Sequence, residues 1–168
     1  MQRRQKSFCL RIGQAYNHEC RKICTGHDIT WSNSIRYLGV HIKSAKNFTC
    51  CLSHAKGSFY RAFNAVLGKV ANVASELVII ELLKTKCLPI LYYGVEACPV
   101  NKAQLQSLDF VLHSSFRKIF RTKSTNIVKD CMLMFGCSPA EEVITKRKDK
   151  FLAKYTTMDN VIIGALLS

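Results

Sequence analysis

Carboxylates that could share a metal ion are scarce in this chain of 168 residues. Metal-dependent phosphoryl transfer needs them clustered, because two divalent cations about 4 Å apart must be bridged and neutralised. No two aspartates lie close in sequence, and the one adjacent acidic pair is Glu141-Glu142. Neighbouring residues of a helix point in different directions, so we interpret this pair as N-terminal helix charge. Serine-histidine-aspartate order, a glycine-rich phosphate loop and an HExxH sequence are also absent.

A group of histidines and cysteines has a spacing that could suit zinc. It comprises His18, Cys20, Cys24 and His27, with Cys50, Cys51 and His54 further along. Zinc ribbons and knuckles place cysteines two to four residues apart on tight turns, but no Cys-x-x-Cys occurs. We expect no metal site and interpret these side chains as unligated cysteines and surface histidines.

The composition favours a globular protein with a polyanionic partner. Hydrophobic residues make up 48% of the chain, and 25 Lys+Arg against 11 Asp+Glu give a net charge of +14. Nucleic acid is the first candidate partner, although a ribosomal-type protein or an anionic membrane surface fits the charge alone. No apolar run reaches the roughly 18 to 20 residues of a membrane span. The basic start precedes no apolar signal core, so we expect an intracellular protein, nuclear or cytoplasmic, with reduced thiols.

Hydrophobic periodicity changes from strand-like to helical near Asn47. Apolar and polar residues alternate over 8–13 and 35–42, and a turn is predicted around 25–28, so the first part of the chain indicates a small antiparallel sheet. Threefold and fourfold spacing then predicts a helix over 52–70. Ser75 can cap a second helix, which Pro89 should kink or end.

Two further helices begin at recognisable caps. Asn101 and Gln104 form a capping-box pattern, and Ser138-Pro139-Ala140-Glu141 combines a cap, a first-turn proline and a carboxylate. The first of these helices ends in Arg117, Lys118, Arg121 and Lys123. These cations either complement the helix dipole or bind phosphate, and the sequence leaves both readings open.

Five ordered blocks resemble the downstream half of the reverse transcriptases of jockey-like and related non-LTR (LINE-type) retrotransposons. They are KSFCLRIG (6–13), IRYLGV (35–40), FYRAFNA (59–65), LPILYYGVEACP (88–99) and SLDFV (107–111). The resemblance covers roughly residues 6–151. It implies an α+β fold, with the C-terminal part of the palm and a primer-grip-like hairpin in 1–46, a helical thumb-like domain in 47–151 and a divergent tail in 152–168.

The resemblance also implies roles for particular residues. Lys6 is similar to the palm lysine that protonates the pyrophosphate leaving group. Tyr37, Leu38 and Gly39 resemble the primer grip, where a glycine allows close backbone approach. The expected duplex contacts of the helices are Lys56, Arg61, Lys69, Arg117, Lys118 and Arg121.

The resemblance implies partners outside this chain as well. An RNA template, a DNA primer and the upstream palm and fingers are expected, together with Mg²⁺ for the full-length enzyme. The paired aspartates that hold Mg²⁺ belong to the upstream part, so we expect neither a cofactor nor polymerase activity from this chain alone. Three alternatives stay open: a stand-alone basic nucleic-acid-binding module, a decayed fragment without independent function, and a helical interaction domain with incidental charge.

Overall fold

The computed structural model describes residues 8–10, 12 and 30–156, and within them a small sheet region precedes a helical unit. The fold is therefore α+β, as the sequence predicted. The predicted turn around 25–28 lies outside the described residues. The last strand ends at Cys51 and the first helix begins at Ser53, so the change from strands to helices occurs at Leu52 and not at Asn47.

The sheet region contains an antiparallel three-stranded sheet and a separate parallel pair. Strands β3 (Ser34–Tyr37), β4 (Val40–Lys43) and β5 (Thr49–Cys51) pair in that order, with both pairings antiparallel. Strands β1 (Phe8–Leu10) and β2 (Thr30–Ser32) pair in parallel. The expectation of a wholly antiparallel sheet is wrong for this pair, because alternation predicts a strand but does not fix the direction of its neighbour.

Helix α1 (Ser53–Val70) supplies the first large aromatic side chains of the core. Phe59 and Phe63 are four residues apart, which places them on one face, and both are completely buried. Their rings stack with centroids 5.9 Å apart. This burial orients α1, so that other residues of the helix, His54 and Arg61 among them, stay exposed.

The chain around Pro89 departs from regular α-helix, as predicted. Helix α2 (Glu76–Leu82) continues as a π-helical turn over Leu83–Cys87 and then as the short helix α3 (Leu88–Leu91). Proline has no N–H and its ring clashes with the carbonyl four residues earlier, so a wider turn before Pro89 relieves that conflict. Ser75 is the N-cap of α2, but its side chain makes no capping hydrogen bond.

Helix α4 (Lys102–Ile119) opens with the predicted capping box. The Gln104 backbone N–H donates to Asn101 Oδ1 at 2.8 Å, and the Asn101 backbone N–H donates to Gln104 Oε1 at 3.0 Å. Helix α5 (Thr125–Met134) was not predicted. Helix α6 (Ala140–Thr156) begins with an N–H that donates to Asp109 Oδ1 on α4 at 2.7 Å.

The core lies among the helices and the segment that follows α3. Its largest fully buried side chains include Tyr92, Phe59, Phe63, Phe116, Ile80 and Leu83. Burying an apolar side chain of this size contributes about 1.5 to 3 kcal/mol to the free energy of folding. This core therefore stabilises the helices whose surfaces carry the candidate site residues. Within the described part of the chain, no helix combines the length and apolarity needed to cross a bilayer.

Candidate nucleic-acid interface

A cleft of about 730 Å³ lies where the β3–β4 hairpin approaches α1 and the segment after α3. We call it the hairpin cleft. Its polar lining comprises Arg36, His41, Cys51, His54, Ser58, Arg61, Tyr93 and Cys98. Among the described residues, two arginines and two histidines line it and no carboxylate does. A concave surface with this charge suits an anionic ligand.

The tight turn of the β3–β4 hairpin forms one wall of the hairpin cleft. Leu38 has φ +45° and Gly39 has φ +83°, as in the two-residue hairpin turn with positive φ at both central positions. A Cβ on Gly39 would lie 2.8 Å from Tyr93 Cε1. The space beside Gly39, where the resemblance predicted a close backbone approach, is therefore occupied by a tyrosine ring.

The segment after α3 packs against the same hairpin at a second glycine. Gly94 has φ +70°, and a Cβ there would lie 2.6 Å from Val40 Cγ2. Both glycines are needed for backbone conformation and for space. The hairpin and the Tyr93-Gly94 segment therefore form one fixed edge of the hairpin cleft.

Helix α1 forms the facing wall and carries Arg61, one of the predicted contacts. The Arg61 guanidinium donates from Nη2 to Ser58 Oγ at 3.0 Å, and both side chains line the hairpin cleft. A hydroxyl partner orients the guanidinium but does not neutralise it. Arg61 thus keeps its charge and most of its donors for a ligand.

Two histidines stack on each other inside the hairpin cleft. The ring centroids of His41 on β4 and His54 on α1 are 3.7 Å apart, and the rings are nearly parallel at 8°. Partial burial lowers the pKa of His41 below its usual 6.5, and the positive charges of His54 and Arg36 lower it further. The stack therefore favours a neutral His41 ring when no anion is bound.

The two cleft cysteines have opposite acid-base character. Burial raises the pKa of Cys51, but hydrogen bonds from Ser53 and the charge of Lys43 outweigh that effect and leave the pKa lower than usual. Burial and the contact with Cys50 raise the pKa of Cys98 to about 12. Cys51 thus has more thiolate character than its neighbour across the cleft.

A smaller cavity of about 170 Å³ adjoins the hairpin cleft, and both are lined by Cys51 and Leu52. It is lined by Lys43 and by Lys56, a predicted contact, and none of its described lining residues is a carboxylate. Lys56 Nζ donates to Ser107 Oγ at 2.7 Å, which is again a neutral partner. The two cavities together make a continuous cationic surface along the sheet and the start of α1.

The three predicted cations near the end of α4 are arranged differently. Arg117 donates from Nη2 to Thr125 Oγ1 at 3.1 Å, and its Nε is buried without a hydrogen-bond partner. Lys118 Nζ donates to Asn64 Oδ1 on α1 at 3.3 Å. Lys118 and Arg121 line a cavity of about 280 Å³ that also contains Glu76. These residues lie outside the hairpin cleft.

The remaining predicted site residues do not enter the hairpin cleft either. Tyr37 and Leu38 stand at the hairpin tip with 62% and 74% of their surface exposed, so Tyr37 is not a core residue. Lys69 is exposed in the last turn of α1.

Lys6 lies outside the described residues, as do the first four members of the zinc-like group. Among described residues, no three His, Cys, Asp or Glu side chains are grouped to hold a metal.

Sequence reasoning missed Arg36, His41, His54 and Tyr93 as site residues. Arg36 and Tyr93 lie inside blocks that carry the resemblance, but nothing in the spacing showed that those blocks meet. His41 and His54 are on different elements, and only the turn from β5 into α1 brings their rings together.

Comparisons with known proteins give no relative for this arrangement. No protein-family model matches the chain. No curated protein and no solved structure matches it either.

Proposed function

We propose that the hairpin cleft and the cations beside it hold the phosphate backbone of a nucleic-acid duplex. We further propose that the chain is a C-terminal part of a non-LTR retrotransposon reverse transcriptase, in which this surface contacts the template-primer duplex. Phosphate contacts position a duplex without reading its sequence, so a set of cations on a concave surface is sufficient for that task.

The observation that carries the proposal is the lining of the hairpin cleft, in which the described residues include two arginines and two histidines but no carboxylate. The adjoining cavity adds Lys43 and Lys56, again with no carboxylate among its described lining residues. Lys56 and Arg61 both donate to neutral hydroxyls. Their charge is therefore available to phosphates, and a net charge of +14 strengthens the attraction at a distance.

The packing of two resemblance blocks supports the family part of the proposal. Residues 35–40 and 88–99 meet where Gly39 approaches Tyr93 and where Gly94 approaches Val40. Blocks far apart in sequence thus build one edge of one surface. The proposed relationship predicts this, because segments that form one surface of a family enzyme should also meet in this chain.

The described lining of the hairpin cleft does not fit Mg²⁺, because RNA-templated DNA synthesis needs metal ions held by clustered carboxylates and this lining has none. We therefore assign duplex holding to this chain and no polymerisation step. The metal-binding aspartates would come from an upstream part of the enzyme.

The binding test is a salt titration of the full chain with a fluorescein-labelled RNA–DNA duplex, followed by anisotropy. We expect the logarithm of the binding constant to fall linearly with the logarithm of salt concentration. The double variant Arg36→Gln, Arg61→Gln should reduce that slope by about 2 and weaken binding.

The matched control is the double variant Lys129→Gln, Lys150→Gln, which removes the same charge from two exposed positions on α5 and α6. It should bind nearly as the parent chain does. Equal weakening by both pairs would place binding on net charge alone, and no binding at low salt by a folded sample would refute the proposal. For the family assignment, the coding sequence directly upstream should contain an Ala-Asp-Asp type motif.

A further inference from the structure

The stacked imidazoles of His41 and His54 occupy the same cleft as Arg36 and Arg61. Histidine is the side chain whose charge changes most readily near neutral pH. Two rings held face to face with centroids 3.7 Å apart repel each other when both are protonated, and Arg36 adds to that repulsion. Simultaneous protonation of both rings is thus unfavourable until an anion binds beside them.

We propose that His41, His54, Arg36 and Arg61 form a phosphate site that takes up protons when a phosphodiester of the duplex enters. This inference rests on the proposed function and adds a regulation to it. A phosphate close to the rings reverses the local field, so imidazolium becomes the favoured state. By thermodynamic reciprocity, protons must then strengthen duplex binding as much as the duplex strengthens proton binding.

The surroundings of the pair contain the groups that such a linkage requires. His41 lies opposite Arg36 on β3 and opposite Cys51 on β5. Helix α1 contributes His54 and Arg61, and the segment after α3 contributes Tyr93 and Cys98. Lys43 acts on Cys51 from β4, and Glu96 acts on Cys98 without lining the hairpin cleft.

Since the groups named above are mainly basic or neutral, the ligand is the principal source of negative charge near the histidines. Within residues 8–10, 12 and 30–156, no carboxylate lines the hairpin cleft to hold an imidazolium before a ligand binds. A phosphodiester carries one negative charge at all pH values used, so the protein supplies the titrating group. Proton uptake should therefore be a property of the complex and should depend on both rings.

The experiment measures the dissociation constant of the full chain for the labelled RNA–DNA duplex between about pH 5.5 and about pH 8.5 at constant ionic strength. One proton taken up changes affinity by up to about tenfold per pH unit between the pKa values of the free and bound states. Calorimetry in two buffers of different ionisation enthalpy counts the protons directly.

His54→Asn is the first variant, because His54 is exposed and its loss should leave the fold intact. His41→Asn is the second, and His113→Asn on α4 is the matched control. We expect both cleft variants to flatten the pH dependence and the control to keep it. Arg61→Gln should weaken binding at every pH while the slope remains.

The outcomes separate the two proposals. Binding with a pH slope that survives both cleft variants, or no proton uptake in calorimetry, overturns the phosphate site and leaves duplex holding intact. Absence of binding at every pH overturns duplex holding itself. A slope lost equally in His113→Asn would also contradict the assignment to the stacked pair.

Discussion

The hairpin cleft and the end of α4 are both rich in cations, yet they differ in what surrounds the charge. At the end of α4 the cations are close in sequence, and in space they are divided between a hydroxyl, an amide and a cavity that contains Glu76. In the hairpin cleft the cations are far apart in sequence and converge on one concave surface, to which no carboxylate of the described part of the chain contributes. Cations that are adjacent in sequence thus need not share one surface, whereas cations distant in sequence can converge on one after folding.

The contacts of the α4 cations bear on the two readings that the sequence left open, helix-dipole complementation and phosphate binding. Arg117 and Lys118 lie in the last turn of α4, where positive charge complements the helix dipole. Arg117 also joins α4 to Thr125 at the start of α5, and Lys118 joins it to Asn64 on α1. These contacts join different helices, whereas the Arg61 guanidinium donates to Ser58 of its own helix and lines the hairpin cleft.

The largest expected effect comes from reversing charge in the two regions. The double variant Arg36→Glu, Arg61→Glu should weaken duplex binding by about a hundredfold at low salt, because it introduces two negative charges into the cleft. Lys118→Glu with Arg121→Glu makes the same change of net charge at the end of α4 and should cost less than about threefold. Anisotropy titrations measure both. If the second pair weakens binding as much, the distinction between the regions fails.

A smaller effect is expected from the glycine that joins hairpin and bundle. Gly94→Ala should reduce the free energy of unfolding by about 2 kcal/mol or more, because it places a Cβ at φ +70° and against Val40. Chemical denaturation measures this change.

Gly57→Ala serves as the control for that substitution. Gly57 lies inside α1 with open space at its Cβ position, so alanine should stabilise the fold by about 0.5 to 1 kcal/mol. The two substitutions should thus have opposite signs. A stable Gly94→Ala chain with unchanged duplex affinity would show that the hairpin edge is not fixed in the way described.

Replacing Arg117 tests whether the end of α4 takes part in duplex binding. Arg117→Met should change the free energy of unfolding by less than about 1 kcal/mol, because it loses one hydrogen bond to Thr125 but also removes a buried Nε that has no partner. Duplex affinity should stay within about threefold of the parent. A tenfold loss of affinity with unchanged stability would move Arg117 into the binding surface.

The smallest effect concerns the pH dependence of stability without nucleic acid. The unfolded chain binds a proton at His41 near pH 6.5, whereas the folded chain binds it only at lower pH. The unfolded state therefore holds more protons below about pH 6.5, and stability should fall as the pH drops through that region. His41→Asn should show a shallower fall, measured by urea denaturation, and a steeper one would contradict the stacked arrangement.

The sequence predicted those parts of the fold that local rules determine. The helix over 52–70 and the capping box of Asn101 and Gln104 follow from spacing and from side chains within one turn, and both are confirmed. The parallel direction of β1 and β2 depends on a partner distant in the chain. The cap of α6 by Asp109 is likewise a contact between elements, so no local pattern could reveal it.

The candidate site was less predictable than the fold for the same physical reason. Arg61 and Gly39 were expected at a binding surface and both line the hairpin cleft. Tyr37 and Leu38 were expected beside them but point their surface to solvent at the hairpin tip. The histidine pair could not be anticipated, because it depends on the angle at which α1 leaves the sheet.

Gln104 links two parts of the molecule through a single amide. Its oxygen accepts from the Asn101 backbone, and its nitrogen donates to the Cys50 carbonyl oxygen at 2.9 Å. Deamidation to a glutamate would preserve the first bond and replace the second by repulsion between two oxygens. Ageing chemistry at one glutamine would thus loosen the last strand from the helical unit while the start of α4 stayed capped.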